Sequence, residues 1–159
     1  IKVTVSGVLQ IDISERIPAF IWRKDDVISV IDEKGKFIRL ANSRLDYPEL
    51  PLVIGEAANL SIADISSLME DNQYFLDQVR AFVRVGERRW DLVLDNNLRI
   101  MLPQTEFLAA FDRLMLMNQS GSLFSNQLSI IDMRLVERPT VRVDAVSVDR
   151  LTYNSSGDL

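Results

Sequence analysis

Apolar and polar residues alternate by twos at the start of the chain. Lys2 to Ser6 and Val8 to Glu15 each place β-branched or apolar side chains on one face and polar ones on the other, joined around Gly7, which predicts a hairpin. Pro18 cannot donate to a sheet ladder and marks a bend, after which Ala19 to Arg23 continues extended. Val27 to Ile31 and Lys36 to Leu40 form a second predicted hairpin, closed by Asp32 to Gly35, where the glycine can supply positive φ. Pro48 and Pro51 frame an irregular crossing before the short apolar run Leu52-Val53-Ile54, which Gly55 ends.

The period then changes. Ile62, Ile65, Leu68 and Met69 make a helical stripe, with Ser61 and Asp64 spaced as a capping box, Asn72 as the stop, and one more turn over Tyr74 to Gln78. Period two returns in Gln78 to Val85, Trp90 to Leu94 and Leu98 to Leu102, with turns at Gly86 to Arg89 and at Asp95 to Asn97. Pro103 ends the last of these, Thr105 is placed to cap a helix with the apolar face Phe107, Leu108, Phe111, Leu114 and Met115, and Ser120-Gly121-Ser122 breaks it. The final strands are Leu128 to Leu135 and Thr140 to Val148, followed by a loose tail. The expected fold class is α+β: an antiparallel-strand-rich β domain with two main helices.

Composition narrows the chemistry. The 159 residues contain no cysteine and no histidine, which excludes disulfides, zinc fingers, Ser-His-Asp or Cys-His nucleophile systems, and the usual haem or copper sites. A net charge of −5 argues against nucleic acid as a partner, because phosphate binding needs a basic surface. Residues 1–80 hold 9 basic and 13 acidic groups, so the excess acid lies mainly in the first half. No apolar run approaches the roughly 20 residues that span a bilayer. The glycines nowhere take the spacing of a phosphate loop.

Candidate chemical groups are few. Asp64, Glu70 and Asp71 could form a carboxylate set, although acids at a helix end are usually solvated. Glu87-Arg88-Arg89 could clamp an anion, but lies in a predicted turn. Asp132 and Arg134 face the same side of a strand and are read as an ion pair. Trp22 and Trp90 are expected as core anchors. The residues alone therefore predict no catalytic, cofactor or metal site.

Five strings, taken in order, resemble one family. Glu15 to Trp22 is similar to its E-R-x-P-x-A-x-W junction, Val30 to Phe37 to its I-D-x-x-G-x-x-F hairpin, and Leu50 to Gly55 to its L-P-x-I-x-G crossing. Arg89 to Asn97 resembles R-W-x-L-x-L-x-N-G, with Asn97 in place of the usual glycine, and Ile131 to Arg134 stands where I-D-L-R is found. On these the chain is identified as a member of the bacterial cell-division FtsQ/DivIB family, in an alphaproteobacterial-like form. The hairpin through Gly7 is shorter than the family's usual one.

The resemblance implies a non-enzymatic, cofactor-free divisome scaffold of the cell inner membrane. It would be single-pass, anchored by an upstream helix absent from these residues, with this part in the periplasm and enriched at the division septum. Residues 1–22 would be the C-terminal strands of a POTRA domain, 23–148 the β domain, and 149–159 the tail. The implied partners are FtsB and FtsL, bound by strand addition at the C-terminal edge, with a weak homodimer also admitted. Arg134 would pair with a partner carboxylate, and Leu135, Glu137, Arg142 and Val143 would lie along the binding edge. Pro139 departs from the family pattern and removes one donor there. Two other readings stand beside this one: a POTRA-bearing assembly factor of another envelope complex, and a carboxylate-dependent glycan hydrolase.

Overall fold

Among the described residues, nine of eleven strands join into one mixed sheet, and the two longer helices pack on one of its faces. A computed structural model describes residues 2–3, 9–10, 15–118, 121, 123–124, 127–135 and 137–143. Strands β1 (Lys2–Val3) and β2 (Leu9–Gln10) pair antiparallel, as the first hairpin requires; its turn at Gly7 lies outside the described residues. The large sheet contains β3 (Phe20–Lys24), β4 (Val27–Ile31), β5 (Phe37–Leu40), β6 (Leu52–Ile54), β7 (Val79–Val85), β8 (Arg89–Leu94), β9 (Arg99–Met101), β10 (Leu128–Asp132) and β11 (Thr140–Val143). Their spatial order is β11-β10-β9-β8-β7-β6-β3-β4-β5. The helices are α1 (Ile62–Asp71), the single turn α2 (Gln73–Leu76) and α3 (Phe107–Met117). Among the described residues no helix is long and apolar enough to cross a membrane.

The alternation that predicted the strands also decides what each face buries. Phe20, Ile31, Val53, Phe82, Trp90, Leu92, Leu94, Ile100 and Ile131 point to the helix side. There they meet Ile62, Ile65 and Leu68 of α1, Phe75, and Ala110, Phe111 and Leu114 of α3. Phe75 packs edge-on against Phe111 with ring centroids 5.2 Å apart. Trp90, 1% exposed, is the core anchor expected, whereas Trp22 is half-buried and donates its Nε1–H to the Gly55 carbonyl at 3.0 Å.

Local chemistry fixes the first hairpin of the sheet. Asp32 Oδ1 accepts the backbone N–H groups of Lys34 (2.9 Å) and Lys36 (2.8 Å), while Oδ2 accepts from Arg16 Nη1 at 2.6 Å. Gly35 sits at φ +73, and a Cβ there would lie 1.8 Å from the Asn59 carbonyl oxygen, so the turn admits only glycine.

The fold is α+β with a mostly antiparallel sheet and two main helices, as expected, while β3–β6, β6–β7 and β9–β10 run parallel. Trp22, where the expected domain boundary falls, lies within β3. Several local expectations are corrected. The Ser61–Asp64 capping box does not form: Ser61 makes no side-chain cap, and Asp64 Oδ2 instead accepts the buried indole N–H of Trp90 at 3.0 Å. Arg84 completes that group, 4.9 Å from the Trp90 ring centroid and 3.4 Å from Asp64. Asp64 is therefore a structural acceptor rather than one of a free acid set. Thr105 does not cap α3; the N-cap is Glu106, in the left-handed region and without a side-chain cap bond. The strand expected to reach Leu135 ends at Asp132. The predicted extension of β11 to Val148, and the tail, lie outside the described residues.

Candidate partner-binding edge

Among the described residues the sheet has two ends, β5 and β11, each paired on one side only. An end strand presents backbone N–H and C=O groups without sheet partners, a template on which another chain can pair. In β11 all four residues are exposed. It runs antiparallel to β10, with Ile131 opposite Val141 and Asp132 opposite Thr140. The pair carries a bulge in β10, between Leu128 and Ile130. Pro139 precedes the first residue of β11, so its missing N–H falls outside the ladder.

The residues assigned by sequence gather at this end. Arg134 follows β10 and grips Asp132: its Nε lies 2.9 and 3.0 Å from the two carboxylate oxygens and its Nη2 2.6 Å from Oδ2. Its own N–H also bonds Asp132 Oδ1 at 3.0 Å. The ion pair read from the sequence is thus present, and it holds Asp132 below the ordinary carboxylate range chiefly through the Arg134 hydrogen bonds. Among the described residues Arg134 Nη1 makes no hydrogen bond. Leu135 is 69% exposed, and the Arg138 N–H closes a turn onto its carbonyl. The Glu137 side chain is nearly free in solvent, 3.9 Å from Arg113 of α3. Arg142 stands opposite Ile130, and Val143 stands opposite Leu128. All five residues thus lie on β11 or on the connection that leads into it.

One functional-looking group escaped sequence reasoning. Asp91, on the sheet face opposite α1 and α3, is 1% exposed. Its Oδ1 lies 3.3 Å from Arg89 Nε, its Oδ2 lies 3.5 Å from Arg99 Nε, and Oδ2 has no hydrogen-bond partner. Burial pushes its carboxyl above the usual range, and Arg89 and Arg99 only partly offset that. Arg89 is therefore committed to Asp91, while Glu87 and Arg88 sit exposed in the turn, so the three do not form an anion clamp. A signal was available: Arg89 and Asp91 are two apart on one strand, and so face the same side.

A cleft of about 1090 Å³ opens near the start of β6 and β7 and carries both acids (Glu33, Glu49, Glu70, Asp77, Asp95) and arginines (Arg23, Arg44, Arg80). Asp91 does not line it. Among the described residues no three acids converge as metal ligands.

Among the described residues, a helix-backed sheet thus ends in an exposed strand beside an arginine-rich surface, the kind of edge on which strand-adding interaction domains are built. Residues 20–134 match the sequence profile of the cell division protein FtsQ/DivIB C-terminal family. The chain is 35% identical over 151 residues to the cell division protein FtsQ of Dinoroseobacter shibae, covering 95% of this chain and 51% of that protein. It is 36% identical to that of a Jannaschia species over 95% of this chain and 49% of the relative, and 37% identical to that of Ketogulonicigenium vulgare over 91% and 48%. The chain belongs to the FtsQ/DivIB family, and spans about half the length of these relatives.

Proposed function

We propose that the chain is the periplasmic part of a non-catalytic, single-pass inner-membrane scaffold of the bacterial division complex. In this reading β11 receives the periplasmic parts of FtsB and FtsL by strand addition, linking early and late division proteins at the septum. Residues before Phe20 are the last strands of a POTRA domain, and the sheet from Phe20 onward is the β domain. Family membership favours this over an envelope assembly factor of another kind and over a glycan hydrolase.

The observation that carries the site is the exposed β11 at the end of the sheet, with Arg134 beside it. A partner strand would gain ladder hydrogen bonds, and its alternate side chains would read Val141 and Val143 on one face and Arg142 on the other. Arg134, anchored through Nε and Nη2, directs Nη1 to a partner carboxylate. Arg134→Glu is expected to weaken a titrated periplasmic segment of FtsB by on the order of ten-fold or more, because it replaces an attraction with a repulsion. The change should leave thermal unfolding nearly unaltered, since the Arg134–Asp132 pair is half-exposed. Unchanged affinity would remove Arg134 from the site.

A further inference from the structure

The sheet face opposite α1 and α3 has its own charge pattern toward the β11 end. Direct pairing sets Asp91, Met101, Asp132 and Thr140 in one row, and Val93, Arg99, Ile130 and Arg142 in the next. Arg89 and Arg134 lie beyond the first row. Four arginines therefore surround two aspartates on a chain whose net charge is −5.

Within this pattern Asp91 is placed against stability. Its carboxylate is buried, one oxygen lacks a hydrogen-bond donor, and a hydrophobic side chain there would avoid the desolvation cost. What the carboxylate does is face the Nε of two arginines on neighbouring strands, Arg89 of β8 and Arg99 of β9. Nε is the inner nitrogen of a guanidinium, so the terminal nitrogens of both remain available. Among the described residues those terminal nitrogens carry no hydrogen bond. Two long, flexible side chains are thus given one orientation before any partner arrives, which lowers the entropy lost on binding.

We infer that Asp91 is the positioning residue of a second recognition site, in which Arg89 and Arg99 on the sheet face opposite α1 and α3 receive carboxylates of an acidic partner segment lying next to the β11 edge. This rests on the reading of β11 as the partner-binding edge. The charged groups facing Asp91 are Arg89 on its own strand, Arg99 from β9, and Asp132 with Arg134 from β10 and the residues after it; β7 presents the uncharged Val83.

The test compares the wild-type chain with Asp91→Asn, titrating the same FtsB segment at several pH values. The variant is expected to bind about ten-fold more weakly at neutral pH, because asparagine cannot hold both guanidinium groups by charge. In the wild type the affinity should fall toward the variant's as acidification protonates Asp91, above the pH at which an ordinary aspartate does so. The ratio of the two affinities should therefore close with falling pH, and the partner's own carboxylates cancel from that ratio. Stability separates this from a merely structural role: Asp91→Asn, which removes a buried, poorly solvated charge, is expected to be as stable as the wild type or more so. A clearly less stable variant would assign Asp91 to the fold and overturn the inference. Equal or tighter binding by Asp91→Asn at neutral pH overturns the inference while leaving the edge reading intact. A wild-type chain that binds nothing overturns both.

Discussion

Asp32 and Asp91 are both nearly buried aspartates, yet they respond to acid in opposite directions. At Asp32 burial acts to raise the carboxyl, but the N–H groups of Lys36 and Lys34 and the Arg16 guanidinium outweigh it and hold the group below its usual value. Ionised Asp32 therefore adds stability above the unfolded-state titration, and that contribution is lost as pH falls through the depressed folded value. Asp32→Asn should be less stable than the wild type at neutral pH, with the gap closing in acid as pH falls through the depressed folded value. Denaturant melts at neutral and acid pH measure this, and a gap that persists in acid would assign the effect to shape rather than charge. Asp91, raised by burial, has the opposite sign: the folded state favours its protonated form, and ionisation costs stability as pH rises through the raised value. A group that costs stability is better explained by what it does for Arg89 and Arg99 than by what it does for the fold.

At the scale of elements, β6 is short but occupies the middle of the sheet, parallel to β3 on one side and β7 on the other. Gly55 ends it at φ +123, with its carbonyl receiving Trp22 Nε1. A Cβ there would lie 2.5 Å from the Arg84 carbonyl oxygen. Gly55→Ala is therefore expected to cost roughly 2 kcal/mol or more, read as a lower denaturant midpoint at constant m-value. That Gly55 stops the strand was legible in the sequence; its contact with Arg84 was not, because it depends on β7 arriving from some 25 residues further along. The same division holds elsewhere. Helix stripes and hairpins depend on neighbours in the chain, and the Ile62-Ile65-Leu68 stripe and the hairpin turns appeared where periodicity placed them. The three parallel pairings depend on crossings that periodicity does not describe. Asp64 was spaced to cap α1, yet a buried indole N–H from a distant strand competes more strongly for its oxygen. At the candidate site the sequence supplied the Asp132–Arg134 pair, since the two residues stand two apart in the chain. It missed Asp91 as a centre because Arg99 reaches it from β9.

At the scale of the whole molecule, a sheet with two ends offers two places for strand addition, and they are not equivalent. At β5, Val30 stands opposite Arg39 and Ile31 opposite Phe37, so Ile38 is the extra residue of a bulge, a device that discourages edge pairing. Arg39 lies 5.2 Å from the Tyr47 ring, placing a cation at the same edge. At β11 the paired strand β10 carries the bulge, and the outer strand itself runs through Thr140, Val141 and Arg142 without interruption. The surface arginines Arg99, Arg134 and Arg142 gather at this end, although the chain as a whole is acidic, so a partner rich in carboxylates is steered toward it in a way that salt weakens. Lysines at an edge disfavour an incoming strand while leaving an exposed position otherwise undisturbed. Val141→Lys with Val143→Lys should therefore reduce binding of the FtsB segment by ten-fold or more, with unfolding changed by no more than about 1 kcal/mol. Phe37→Lys with Leu40→Lys, at residues that are 57% and 65% exposed on β5, should leave that binding within about two-fold of wild type. If the β5 pair weakened binding and the β11 pair did not, the partner would be adding to the bulged end. The arginine cluster would then lie on the wrong side of the molecule to take part.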